Sequence, residues 1–288
     1  MIIFIGELFD YLCRNSARSD IEFPQFRELI NSRKPITFYN WECPARSPLR
    51  PVKDLPFDLE CDFLDDEASV EKTRLVERNV QEREFVERVV IPLREGLGIK
   101  VGYFKFLADT NPAILCPYTI RNKQDEIEIV RKMFSFTQRL QRRADAIVGR
   151  GNIQAIPFSQ IRALYPEEYL RAYNSVYYSF SEEDTPQTRL IPAKVFRGEL
   201  EELAEHIGVS LETERRRVVE FTKRVASSYA AEEYLIRTSL SNGDWFQNPV
   251  CVSNESMFTF PIFANAYLGK DKRGPWLFLL YKREEQKK

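Results

Sequence analysis

Apolar positions along this chain change period repeatedly, and each change marks an element. Ile36-Thr37-Phe38-Tyr39 is a short compact apolar run, the pattern of a buried strand. The stretches Ile99 to Leu107, Asn152 to Phe158, Pro249 to Ser253 and Pro275 to Tyr281 read the same way. Between them the spacing becomes helical. From Val70 to Arg94 the apolar residues Leu75, Val76, Val80, Phe85, Val86, Val89 and Val90 recur among Glu and Arg, and Gly96 and Gly98 end the pattern. Further helices are predicted from Asp125 to Val148, stopped by Gly149-Arg150-Gly151, and from Pro166 to Phe180. Glu199 to Leu240 is predominantly helical with a break near Gly208-Val209-Ser210, and Ser181 to Leu190 reads as a loop. Strands alternating with long helices predict βαβ units and a mostly parallel sheet. The expected fold is α/β: one Rossmann-like domain over residues 1–288, its sheet flanked by helices. Residues 1–34 form a helical prefix, with helices around Gly6 to Asn15 and Phe26 to Ser32, and 199–240 form a helical layer carrying Tyr229 and Glu233.

Composition narrows the function without assigning it. The 288 residues are 43% apolar and 13% aromatic, enough to bury a sizeable core. The net charge of -1 gives no overall attraction to nucleic acid or to an anionic membrane. The lone histidine, His206, excludes chemistry by paired histidines and most histidine metal sites. Cys13, Cys43, Cys61, Cys116 and Cys251 show no CxxC spacing, which argues against a zinc site or a disulfide framework and suits a reducing compartment. The apolar start Met1 to Ile5 lacks a basic flank, and no run reaches the length of a membrane span. The expectation is a cytoplasmic protein.

Candidate chemistry gathers at four places. The first strand ends in Trp41-Glu42-Cys43-Pro44-Ala45-Arg46-Ser47, a polar elbow at the sheet edge where open α/β folds bind ligands. Cys43 there is either a nucleophile or a small core thiol. The elbow has no glycine fingerprint and the chain no P-loop motif, so nucleotide binding by those routes is not expected. Arg131, Lys132, Arg139, Arg142 and Arg143 put positive charge at i,i+3 and i,i+4 spacings, a stripe that can neutralise phosphates or simply face solvent. Tyr229 and Glu233 are four apart, so they share a helix face and can relay a proton in a partly buried site; the alternative is a core tyrosine beside a surface carboxylate.

In order and spacing these features resemble the tRNA-dependent cyclodipeptide synthases. The first signature of that family, Gly-x-Ser-x-x-Asn-Ser after an early strand, can be laid on Trp41 to Ser47, with Cys43 at the nucleophile and Ser47 at the closing serine. Its Tyr-x-x-x-Glu matches Tyr229 and Glu233. Ala108-Asp109-Thr110 lies where the family has an Asp-Thr turn, followed by the basic helix that holds the tRNA acceptor arm. Ser253, in Cys251-Val252-Ser253-Asn254, falls where the family has a further tyrosine. The chain departs from the pattern at Trp41, Cys43, Arg46 and Ser253, and the combination looks most like the divergent fungal arginine-containing branch.

The resemblance implies a catalytic domain like that of class I aminoacyl-tRNA synthetases. It implies two aminoacyl-tRNA substrates, arginyl-tRNA among them, an aminoacyl-enzyme on Cys43 and a 2,5-diketopiperazine product, with no metal, ATP or membrane partner. Tyr229 would orient or relay the proton of the incoming amine, and Glu233 would bind the ammonium of the first aminoacyl group and then act as base. Glu42, Arg46, Ser47, Asp109 and Ser253 would line the substrate site, with Glu42 and the acidic segment Asp58 to Glu67 as candidates for an arginyl side chain. The alternatives are another Rossmann-like transferase, a methyltransferase or an isocyanide synthase, which would need S-adenosylmethionine or iron, or a non-catalytic tRNA-binding protein.

Overall fold

The computed structural model describes residues 2–14, 19–42, 82–107, 140–142, 144–181, 193–207, 210–241, 246–254 and 276–279, with single positions at 124, 127, 138, 183 and 243. Two helices, α1 (Ile2–Arg14) and α2 (Ser19–Asn31), precede strand β1 (Ile36–Glu42). A helical stretch over 82–96, α3, leads to β2 (Val101–Leu107). The described positions within 124–148 are helical (α4) and lead to β3 (Gln154–Pro157). Helices α5 (Phe158–Leu164), α6 (Pro166–Tyr177), α7 (Ala193–Ile207) and α8 (Leu211–Leu235) follow, and a π-helical turn, Ile236–Leu240, extends α8. The chain closes its sheet with β4 (Pro249–Asn254) and β5 (Trp276–Leu279).

The five strands form one sheet in the order β3-β2-β1-β4-β5, and every pairing is parallel. This is the Rossmann-like order expected of alternating strands and helices. Successive strands run outward from β1 on one side and return through β4 on the other, so the topological switch point lies between β1 and β4. Ligands bind open α/β sheets at that crevice.

Strand alternation divides the core in two. Ile36 and Phe38 of β1 join Tyr103, Val250 and Val252 on the face covered by α1, α2 and α3. Phe38 meets Phe85 of α3 edge to face, with ring centroids 5.1 Å apart. Tyr39, Phe104, Phe106 and Cys251 are buried on the opposite face, against α5, α6 and α8. A third apolar cluster joins α6, α7 and α8 through Val176, Phe196, Leu200, Val218 and Ala230. The break predicted near 208–210 is the start of α8, where Ser210 caps the helix by accepting from Glu212 N at 3.2 Å.

Several boundaries differ from the sequence expectation, each for a local reason. β1 runs on to Glu42, pairing Trp41 with Phe106 and Glu42 with Leu107, so Trp41 and Glu42 are strand residues rather than part of the elbow. Ile99 lies outside β2, because its N–H bonds Leu93 O at 3.0 Å and tethers it to the end of α3. Phe158 starts α5 instead of ending a strand. Pro157, which has no N–H to donate, stands at the junction, and Phe158 turns inward onto Phe106 at 5.7 Å. α7 begins at Ala193, earlier than Glu199. Pro92 interrupts α3, and the backbone widens around it: Ile91 N–H reaches Val86 O and Leu97 N–H reaches Pro92 O, five residues back each time. Gly98 then reverses the chain at φ +65°, a conformation that favours glycine.

Candidate functional site

α8 packs on the face of the sheet that carries Tyr39 and Cys251, and the face it turns inward carries charge. Glu233 is buried, only 3% exposed, on the last turn of α8. Tyr39, fully buried in β1, donates its phenolic hydrogen to Glu233 Oε1. Arg237, one turn beyond Glu233, donates to the same oxygen through Nε. Its guanidinium also stands over the Tyr39 ring, 5.8 Å from the centroid. Cys251 lies opposite Tyr39 in the β1–β4 register and is buried beside these groups. Strand, helix and neighbouring strand thus bring a phenol, a carboxylate, a guanidinium and a thiol into one site beside the switch point.

Electrostatics fix the protonation states of two members. Burial drives the Tyr39 pKa well above its usual value; Arg237 opposes that rise and Glu233 adds to it. Tyr39 is therefore a neutral donor at physiological pH. Burial alone would lower the Arg237 pKa, but the electrostatics of the neighbouring Tyr39 and Glu233, with the hydrogen bond to Glu233, outweigh it and hold the guanidinium above its usual value. Arg237 is a permanent cation. Glu233 Oε1 is thus occupied twice, whereas Glu233 Oε2 is buried with no hydrogen-bond partner among the described residues. A buried carboxylate oxygen in that state is an open acceptor, costly unless something polar fills it.

The next residue, Glu232, belongs to a separate network on the adjoining helix face. Ser228 Oγ donates to Glu232 Oε1 at 3.3 Å and lies 2.9 Å from the hydroxyl of Tyr169 in α6. Burial, followed by the Glu232 charge, raises the Tyr169 pKa above its ordinary value. Toward the surface the same interface continues through Tyr177, which donates to both Glu220 oxygens at 3.0 and 2.8 Å, and Arg224, which donates to Glu220 Oε1 at 2.6 Å. The rings of Tyr169, Tyr173 and Tyr177 stack along α6 at 6.1 and 5.9 Å.

No family model matches this chain, and no curated protein matches it.

Of the residues singled out from sequence, the structure buries Tyr229 and Glu233 on α8 within the sheet-facing core, so the surface alternative for Glu233 does not hold. The hydroxyl that reaches Glu233 belongs to Tyr39. Glu42 and Ser253 occupy strand positions in β1 and β4, and Arg142 is an exposed helical residue. Cys43, Arg46, Ser47, Asp109, Arg131, Lys132, Arg139 and Arg143 lie outside the described residues, as does the acidic segment 58–67. Sequence reasoning passed over Tyr39, Arg237 and Cys251. An i,i+4 Glu–Arg spacing was the available signal for Arg237. Nothing in the sequence pairs Tyr39 with Glu233, 194 residues away. Among the described residues no group of His, Cys, Asp and Glu could hold a metal ion, and no helix is long and apolar enough to cross a membrane.

Proposed function

We propose that this protein is an aminoacyltransferase that uses two aminoacyl-tRNAs to build a cyclic dipeptide through a covalent aminoacyl-enzyme. The observation that carries the reading is Glu233: a buried carboxylate beside β1 and β4, one oxygen anchored by Tyr39 and Arg237 and the other open among the described residues. An amine is the natural complement of such an acceptor. Cys43, the residue after the last one of β1, is the proposed acyl acceptor.

In the first step the Cys43 sulfur bonds the aminoacyl carbonyl carbon, the ester C–O bond breaks, and the tRNA ribose oxygen takes the proton. Glu233 Oε2 holds the amine of the bound aminoacyl group. In the second step the amine of another aminoacyl-tRNA forms the C–N bond and the thioester C–S bond breaks. The amine proton leaves through Tyr229 to regenerate the thiol. The free amine of the dipeptidyl-tRNA then attacks its own ester, closing the diketopiperazine ring and releasing tRNA. Tyr39 touches neither reacting carbon; it orients Glu233. The exposed Arg142 and the basic residues that precede it in sequence supply phosphate contacts.

The test is expression in bacteria with mass spectrometry of the medium. A cyclic dipeptide made by the wild type and lost in Cys43→Ala, at equal soluble protein, is the expected result. Product that persists in Cys43→Ala refutes that nucleophile and moves the assignment to Ser47; no diketopiperazine from soluble wild type refutes the reading. The Rossmann-like strand order favours one second reading, a transferase with a nucleotide-type cofactor such as S-adenosylmethionine. Stabilisation of the protein by S-adenosylmethionine in a thermal shift assay would select it.

A further inference from the structure

The charge balance around Glu233 bears on which form of an amine the site accepts. Glu233 contributes one negative charge and Arg237, bonded to the same carboxylate through Nε, one positive charge. Both side chains are almost completely buried, 3% and 1% exposed. Tyr39 adds a neutral phenol from β1. The other titratable groups packed into or against this core are Cys251 from β4, Tyr229 and Tyr234 from α8, Tyr169 and Tyr173 from α6, and Tyr165 at the α5–α6 junction. Glu232, on the adjacent face of α8, is engaged by Ser228. Lys105 and Glu82 lie across the sheet on its other face, and they balance each other at 2.6 Å.

We propose that Arg237 is a positioning residue that keeps the Glu233 site electrically neutral, so that a substrate amine is held there as the free base and not as an ammonium ion. This inference rests on the acyl-transfer reading of the site. An amine can attack an acyl carbon only through its lone pair, and a protonated amine has none to give. A carboxylate alone in a buried site would stabilise the ammonium form and raise the amine pKa. A carboxylate already balanced by a guanidinium leaves an ammonium as uncompensated buried charge, which lowers the amine pKa. Glu233 Oε2 can then accept one N–H of the neutral amine, while the lone pair points away from it. In the step this serves, the amine nitrogen of the dipeptidyl-tRNA forms the C–N bond to its own ester carbonyl carbon, the ester C–O bond breaks, and the proton shed by nitrogen goes to the departing ribose oxygen.

The experiment is the pH dependence of diketopiperazine formation by the purified full-length protein, with tRNA charged by bacterial synthetases and product measured by mass spectrometry. In the wild type the acid limb is expected below about pH 7.7, the value of an ordinary α-amino group. Arg237→Met should move that limb upward by about two to three pH units, the effect of removing a unit charge about 4–6 Å away at an effective dielectric of about 20. Arg237→Lys keeps the charge and should leave the limb in place. If Arg237→Met does not fold, Glu233→Gln carries the same test with the opposite sign, since the guanidinium then stands alone and the limb should fall. A purely structural role for Arg237 would reduce soluble protein or rate without moving the limb. An active wild type whose limb stays fixed in Arg237→Met, or in Glu233→Gln, overturns the inference while leaving the acyl-transfer reading intact. A soluble wild type that makes no product overturns both.

Discussion

Two buried ion pairs sit on opposite faces of the same sheet, and they are built differently. On the α3 face, Lys105 of β2 meets Glu82 at 2.6 Å, with side chains 2% and 8% exposed. Next to them in the β1–β2 register, Asn40 donates to the Tyr103 hydroxyl at 3.2 Å. On the α8 face, Arg237 and Tyr39 converge on one oxygen of Glu233 and leave the other without a partner among the described residues. Neither Glu82 nor Lys105 leaves a buried side-chain atom in that state among the described residues. A satisfied pair is a structural tie that holds a helix to a strand. A pair with an open acceptor beside the switch point has capacity left for a substrate. Burial and charge are alike in the two pairs; the open oxygen of Glu233 separates them, although Asn40 Oδ1 beside the first pair is also buried without a partner among the described residues.

The largest expected effect breaks the structural pair. Lys105→Met leaves Glu82 buried and unpaired and should cost about 3–5 kcal/mol of stability, read by urea unfolding, while Lys105→Met with Glu82→Leu should regain most of it. Product formation per folded molecule should hardly change in the double variant. If that variant is inactive though folded, the division of roles between the two faces is wrong. Glu233→Gln is the converse: it should fold and bind tRNA while diketopiperazine output falls about 10²-fold or more, measured by mass spectrometry. Full activity in Glu233→Gln would make the α8 pair structural too.

Alkaline titration sharpens the comparison further. The pKa values of Tyr39 and Tyr169 are raised on folding, burial being the main cause in each. Each therefore contributes stability that is intact below about pH 10, the unfolded tyrosine value, and is lost as pH rises above it toward the folded value. Tyr11 and Tyr173, each pushed up to about 12, act in the same direction. Tyrosinate absorbance should show a late fraction of the thirteen tyrosines titrating only as the fold is lost. Tyr39→Phe should remove part of that fraction and weaken the alkaline loss of stability. The smallest effect is expected at the half-exposed Glu220–Arg224 pair, where Arg224→Ala should cost less than about 1 kcal/mol in thermal unfolding.

Much of the architecture was legible from periodicity. The five strand runs fall where the sheet has strands, and the single break in the 199–240 region coincides with the Ser210 cap. Boundaries were lost where one hydrogen bond or one proline decided them, as at Ile99 and Pro157. The site was half legible. Glu233 stood out through its spacing from Tyr229, but a helix carries polar residues for many reasons, and spacing alone cannot say which side faces the sheet. Tyr39 looked like the last apolar residue of a strand, and its hydroxyl is what matters.

The sequence by itself determined the alternation of strands and helices, because period and chain punctuation are local properties that survive without tertiary contacts. The strand order, the burial of Glu233 and the meeting of Tyr39, Glu233, Arg237 and Cys251 were decided only by the tertiary structure. Those groups come from β1, the end of α8 and its π-helical extension, and β4, and only the closing of the parallel sheet under α8 brings Tyr39, Glu233 and Arg237 within hydrogen-bonding range, with Cys251 opposite Tyr39 in the register. Removal from water then holds Tyr39 protonated, while Glu233 has one oxygen committed and one open among the described residues.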